Sequence, residues 1–388
     1  MRPKDLATQA VHGAGSPDPT TGSLLPPIYQ STTYARARLG EEPAFSYSRA
    51  ANPTVSALER ALGEIEDAPY ALAFSSGMAA TTTLCLAVLH AGDRVVAGNA
   101  VYGGSYRLLR QTLAPLGISA DFVDSSREDA VAAALEQPAR LLVIETPANP
   151  TLRLTDIAAI SALGQRAGAL VVVDNTFLTP VLQRPLDLGA DLVLYSTTKY
   201  LDGHNATLGG ALVTRDSALR ERLDATRRAI GTIQSPFEAW LTLQGLKTLS
   251  LRVPRQSASA WTVARYLDQH PAVARVLYPW LASFPQHELA RQQQGAGGGI
   301  VSFALGGEMP LARTFASSLR LCHLAENLGA AQSLLTHPAS MTHAAMPAEH
   351  RAVIGLGEDL LRLSIGLERA EDIVEDLDQA LAAAGVAP

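Results

Sequence analysis

The chain has 388 residues, 47 % hydrophobic and 18 % charged, a globular composition with length for roughly two or three domains. Its formal charge of −6 is spread along the chain, without a basic stripe to neutralise a nucleic-acid backbone. No apolar run follows Met1-Arg2-Pro3-Lys4-Asp5, and nothing approaches the roughly 20 apolar residues of a membrane span, so a cytoplasmic protein is expected.

Residues 1–50 show no clear period and carry many turn residues, among them Gly13, Pro17, Pro19, Gly22, Pro26 and Pro27. A segment this poor in elements is expected to lie as an arm across its own subunit or a partner. At Asn52-Pro53-Thr54 a helix begins, with Val55, Leu58, Leu62 and Ile65 at helical spacing. Short apolar runs at 71–74, 95–97, 141–144, 170–173 and 192–194 then read as strands. Helical patterns lie between most of them, including one from Thr155, as N-cap, through Ala167. Strands apolar on both faces are covered by helices on both sides, which predicts a mostly parallel α/β sheet over residues 51–240.

Beyond residue 240 the pattern changes. A helical stretch from Trp240 to about Leu267 precedes strand patterns at 300–305 and 361–365 and a last helix over 370–384. Residues 241–388 therefore read as a smaller α+β domain. The cluster Gly295–Gly299 reads as a turn before a strand, because no helix pattern follows it. The two cysteines, Cys85 and Cys322, both sit in apolar helical patterns and read as buried packing residues.

Three segments at strand ends carry unusual polar residues, at the edge where open α/β sheets bind ligands. Ser75-Ser76-Gly77-Met78 lies between a strand and a helix starting near Ala79. That arrangement suits an anion cup, and equally a plain tight turn. Asp174 closes the run Val171-Val172-Val173 and needs a cation, a metal or solvent. In Ser196-Thr197-Thr198-Lys199, the lysine suits either a solvated loop or a nucleophilic amine whose proton affinity falls on burial.

The combination narrows these choices. Pyridoxal phosphate (PLP) needs a lysine for its aldehyde, an anion for its ring nitrogen and a neutral cup for its phosphate. Lys199, Asp174 and the residues Ser76, Gly77, Met78, Ser196 and Thr198 supply all three. The Ser196–Lys199 spacing also fits the S-x-x-K of serine acyl-transferases, but Lys247-Thr248 is followed by Leu249 and no S-D-N occurs. The nine histidines include no H-E-x-x-H, so no metal site is expected.

A family likeness emerges from a longer set of motifs: Pro26-Pro27-Ile28-Tyr29, Tyr47-Ser48-Arg49, Asn52-Pro53-Thr54, Ser76-Gly77-Met78-Ala79, Tyr102-Gly103-Gly104 and Glu145-Thr146-Pro147 with Asn149-Pro150. Asp174-Asn175-Thr176-Phe177, Lys199-Tyr200, the run from His337 to His343 and Arg362-Leu363-Ser364-Ile365-Gly366 complete it. With these, the chain resembles the Cys/Met-metabolism family of fold-type I PLP enzymes over about residues 6–381, nearest its cystathionine γ-synthase and γ-lyase branches. The resemblance implies that Lys199 anchors the cofactor and carries protons, that Asp174 pairs with the ring nitrogen, and that Tyr102 stacks on the ring and assists catalysis. It further implies that Ser76, Gly77, Met78, Ser196 and Thr198 hold the phosphate, and that Tyr47 and Arg49 reach it from a neighbouring subunit. Arg362, with Asn149 and Ser333, would bind the substrate carboxylate. Without the resemblance, Tyr47 reads as a core aromatic and Arg49 as half of a surface ion pair.

The implied assembly is a homotetramer with shared active sites acting on amino acids. The implied reaction is γ-replacement or γ-elimination on an O-acylhomoserine or cystathionine. A γ-lyase, an O-acylhomoserine sulfhydrylase and a non-catalytic PLP-binding regulatory protein are the alternatives. Two residues depart from the resemblance. Gln332 stands where the γ-enzymes usually carry a glutamate, and Asn205 where serine is common.

Overall fold

The computed structural model of the protein describes residues 5–306, 309–344 and 348–385. Seven strands make the larger sheet: β1 (Tyr70–Phe74), β2 (Arg94–Gly98), β3 (Ser119–Val123), β4 (Leu141–Glu145), β5 (Leu170–Asp174), β6 (Leu192–Tyr195) and β7 (Gly210–Thr214). Their order is β1-β7-β6-β5-β4-β2-β3, and only β7 runs against its neighbours. The central strands are buried on both faces, as continuous apolar runs require, and Val171, Val172 and Val173 are all fully buried. The mostly parallel sheet is as expected.

Five of these strands match the apolar runs, and two do not. β3 is an edge strand with Ser119 and Asp121 exposed, so it has no apolar run to find. β7 opens on Gly210, whose missing side chain the fold needs: a Cβ there would lie 2.3 Å from the Ser76 carbonyl oxygen. The helix Pro53–Glu66 starts as predicted, with Asn52 as its cap. The helix Ile157–Arg166 is capped by Asp156, whose carboxylate accepts from the Ala159 N–H at 2.9 Å. That corrects the expected cap, Thr155, whose hydroxyl instead meets Ser125 Oγ at 2.8 Å.

A second sheet follows: β8 (Arg275–Leu277), β9 (Ile300–Ala304), β10 (His323–Leu324), β11 (Leu334–Thr336) and β12 (Leu360–Ser364), ordered β10-β11-β12-β9-β8. All its pairs are antiparallel except β10 with β11. Arg362 thus sits in the middle of the central strand. The single helix expected over 240–267 is two helices, Pro236–Leu246 and Leu249–Gln269. The break is fixed by Arg252, which donates to Gly245 O at 2.7 Å and to Tyr200 O at 2.8 Å. Both cysteines are buried, but only Cys85 lies in a helix. Cys322 precedes β10 and gives its N–H to Asp376 Oδ2 at 2.9 Å.

In the arm, a short helix (Leu6–His12) leads into irregular chain, pinned where Asn52 Nδ2 donates to Tyr29 O at 2.8 Å and Ser48 Oγ at 3.0 Å. Leu24 and Leu39 in this segment are fully open to solvent. Among the described residues no helix is long and apolar enough to cross a membrane.

Candidate active site

The carboxyl ends of β4, β5 and β6 open into a cavity of about 580 Å³, closed on its far side by the segments 326–328 and 341–344. Ser76, Gly77, Met78, Tyr102, Asn149, Asp174, Ser196, Thr198 and Lys199 all line it. Residues some 120 positions apart thus converge on one space, because parallel strands put all their exit loops on one edge.

Lys199 is largely buried, and its Nζ donates to Asn327 Oδ1 at 2.5 Å. Burial, then the nearby Arg362 charge, lowers its ammonium to about 8, so a useful fraction is neutral amine near neutral pH. Asp174 accepts from the Thr176 N–H (3.0 Å) and hydroxyl (2.5 Å), both on Oδ1. Its Oδ2 takes no hydrogen bond from the described residues. Burial still raises its carboxyl to about 6.

The residues of the phosphate cup fit the group they would hold. Ser76 Oγ caps the helix Gly77–Val88 by accepting from the Ala79 N–H at 3.0 Å, while the Gly77 and Met78 N–H groups make no bond to the described residues. Gly77 is pressed against Ser196, where a Cβ would stand 3.1 Å from the serine Cβ. The Thr198 hydroxyl gives its proton to Gly209 O (3.2 Å), so of the two hydroxyls Ser196 is the one with a proton to offer. Two free N–H groups at the end of a three-turn helix, beside a free hydroxyl, fit a phosphate.

Tyr102 is half-exposed above this floor, its N–H donating to Glu145 Oε2 at 2.7 Å. Gly104 lets the ring fold down: a Cβ there would come within 2.5 Å of the Tyr102 ring and 2.7 Å of Met78 Sδ. Glu145 had no role in the sequence reading beyond its motif, although an acid closing an apolar strand is the signal that singled out Asp174. Asn327 was missed outright, since it lies in a loop without period.

Arg362 is buried behind the cavity wall. Its Nη1 donates to Asn149 Oδ1 (2.9 Å) and its Nη2 to Asn327 O (3.1 Å) and Thr336 Oγ1 (3.0 Å), while its buried Nε has no partner among the described residues. Burial lowers the guanidinium to about 10, which leaves it charged at neutral pH. Besides Arg362, three predicted residues stay outside the cavity lining. The Ser333 hydroxyl donates to Glu368 Oε2 (2.8 Å) and accepts from the Gly366 N–H (2.9 Å). Tyr47 is half-exposed, with the Arg49 guanidinium 5.5 Å from its ring centre, and Arg49 donates to Arg228 O.

The family described as Cys/Met metabolism PLP-dependent enzyme matches residues 7–382. The chain belongs to this family. The cystathionine γ-synthase of Mycobacterium tuberculosis is 45 % identical over 97 % of this chain and 96 % of its own. The cystathionine γ-lyase of Bacillus subtilis is 43 % identical over 96 % and 98 %. A solved cystathionine γ-synthase from Xanthomonas oryzae, in complex with aminoacrylate and cysteine, superposes with a TM-score of 0.97 at 43 % identity, covering all of both chains. Cystathionine β-lyases are also among the relatives. This member of the Cys/Met-metabolism family is thus a PLP-dependent transsulfuration enzyme of fold type I, and pyridoxal phosphate is its cofactor. An enzyme family excludes the non-catalytic regulatory reading.

Proposed function

We propose that the protein catalyses γ-replacement or γ-elimination on an O-acylhomoserine or on cystathionine, as a cystathionine γ-synthase does. The observation that carries this reading is the span between Lys199 and Arg362. Asn327 touches both, the amine through its side chain and the guanidinium through its backbone carbonyl. An α-amino acid carries both a reacting carbon for the amine and a carboxylate for the guanidinium, and the buried Arg362 Nε has no acceptor among the described residues.

When bound, PLP supplies the electron sink that acidifies the substrate Cα. Asp174 would hold the ring nitrogen and keep it protonated. Gly77, Met78 and Ser196, with Ser76 capping the helix and Thr198 beside them, would hold the phosphate. Lys199 would take the Cα proton and deliver it to the neighbouring carbons, and Tyr102 would cover the ring and exclude water. Arg362 and Asn149 would fix the carboxylate.

A specific observation favours a second reading. Gln332 Oε1 accepts from Asn205 Nδ2 at 3.3 Å, so a neutral amide pair stands where the family resemblance expects a glutamate and a serine. A neutral pair at this position suits sulfide as nucleophile, in a sulfhydrylase, better than the ammonium of a second amino acid. Cleavage in the γ-lyase sense uses the same residues. We also infer that the arm belongs to a homotetramer in which Tyr47 and Arg49 complete a neighbour's phosphate site, which gives the exposed Leu24 and Leu39 a surface to cover.

The deciding assay gives the purified enzyme O-succinylhomoserine with cysteine, with sulfide or alone, and cystathionine separately. Cystathionine formed from the cysteine mixture supports the γ-synthase. Homocysteine from sulfide only would move the assignment to a sulfhydrylase. Release of cysteine and 2-oxobutanoate from cystathionine, without synthesis, would make it a γ-lyase.

A further inference from the structure

Three side-chain amides run in line from the protein surface to Lys199. Lys199 Nζ donates to Asn327 Oδ1, Asn327 Nδ2 donates to Asn205 Oδ1, and Asn205 Nδ2 donates to Gln332 Oε1. Every donor points the same way, so each bond polarises the next and concentrates negative charge on Asn327 Oδ1. The line begins at the solvent, where Asn205 and Gln332 are exposed, and ends at a largely buried amine. Both residues that depart from the family resemblance therefore belong to one structure.

The line is also anchored from the backbone. The Asn327 carbonyl accepts from Arg362 Nη2 at 3.1 Å, and Ala331 gives its N–H to Gly203 O at 2.9 Å, strapping the loop after β6 to the segment bearing Gln332. Asn205 holds φ at +55°, a left-handed conformation that asparagine tolerates better than most residues. Lys199 Nζ has no other hydrogen-bond partner among the described residues. A primary amine released into such a space needs an acceptor.

We propose that Asn327 Oδ1 is the seat of the Lys199 amine whenever that amine is not joined to the cofactor, and that Asn205 and Gln332 hold the seat in place. Asn327 is then a positioning residue for the proton carrier, a role that rests on the reading of Lys199 given above. The charged and titratable groups around the amine are Arg362 on β12, Asp174 on β5, Glu145 on β4, Tyr102, Arg107 at the end of the helix Gly103–Arg107, and Glu326 in the loop after β10. None of them hydrogen-bonds Nζ, which leaves Asn327 as the partner that sets its position.

The test mixes cofactor-free chain with pyridoxal phosphate across neutral to alkaline pH and follows the rate at which the visible absorbance band grows. Only neutral amine attacks the aldehyde, so the pH midpoint of that rate reports Lys199. Asn327→Asp keeps the shape and adds a charge beside Nζ, and should move the midpoint up by about one unit. Asn327→Ala removes an acceptor for the ammonium and should move it down. Asn205→Ala should lower kcat about five-fold with little change in KM, since Asn327 is then free to turn. A wild-type midpoint in a folded Asn327→Asp variant would overturn the proposal. Lys199→Ala keeps the two ideas apart. If that variant still develops the band, the reading of Lys199 itself fails. If it does not, an unshifted Asn327→Asp variant sinks the seat alone.

Discussion

Glu145 and Asp174 stand opposite one another in register at the carboxyl ends of β4 and β5. Two buried acids in adjacent places do not both ionise readily. Burial, then the Asp174 charge, pushes the Glu145 carboxyl well above its ordinary range, while Asp174, supported by Thr176, rises only to about 6. Of the two, Glu145 is the acid pushed further toward its protonated form. Glu145→Gln copies that protonated form and keeps an acceptor for the Tyr102 N–H. It should retain kcat/KM within about three-fold, whereas Asp174→Asn should lose about a hundred-fold or more. Equal damage from both substitutions would show that Glu145 works as an anion.

The Asp174 carboxyl makes a stability prediction. Its folded value, about 6, lies above its ordinary value of 3.8. A raised acid favours the folded state below the lower value and loses that contribution as pH rises through the upper one. In the cofactor-free protein, Asp174→Asn should leave stability unchanged near the lower value. Above about pH 6 it should stabilise by on the order of 2 kcal/mol, after allowing for water in the open cavity. Urea unfolding of both proteins at the two pH values measures this directly. The same variant should bind pyridoxal phosphate more weakly, because the ring nitrogen loses its counter-charge. A site tuned for a cationic ring is thus a source of instability when empty.

Arg362 offers a sharper kinetic signature. Substitution by lysine keeps a charge but removes the planar fork that meets a carboxylate in two places. With charge-assisted bonds worth about 1.5–3 kcal/mol each, Arg362→Lys should raise KM for every amino-acid substrate about ten-fold or more. Arg362→Ala should raise it further and also destabilise the fold, by leaving Asn149 Oδ1 and Thr336 Oγ1 without their partner. The visible band of the bound cofactor should persist in the lysine variant. Unchanged KM values would remove Arg362 from the carboxylate site.

The parts of this site that were legible in the sequence are those made by short, local patterns. Asp174 and Lys199 each end an apolar strand, and the turn at Ser76 lies between a strand and a helix, so one edge could be reconstructed from order alone. Periodicity says nothing about contacts across the chain. Asn327 stands 128 residues from Lys199 and belongs to no regular element, so only the folded molecule brings it to the amine. The Glu145 effect depends on the register of β4 against β5, which strand assignments do not supply. Ser333 shows the same limit: the resemblance implies a substrate contact for it, and only the folded chain shows that Glu368, 35 residues further on, takes its hydroxyl proton.

The arm yields a prediction that needs two chains at once. Tyr47 and Arg49 lie outside their own cavity, and among the described residues Arg49 donates to the backbone of Arg228. If they serve the site of a neighbour, Lys199 and Arg49 in each working site come from different subunits. Lys199→Ala alone should be inactive, and Arg49→Ala alone should bind the cofactor weakly. Unfolded together and refolded, the two should recover activity, because a mixed dimer holds one site with both residues intact and one with neither. Random pairing predicts about a quarter of the wild-type rate, from half the dimers carrying one good site in two. No recovery, with mixed dimers verified by mass, would return Arg49 to its own subunit.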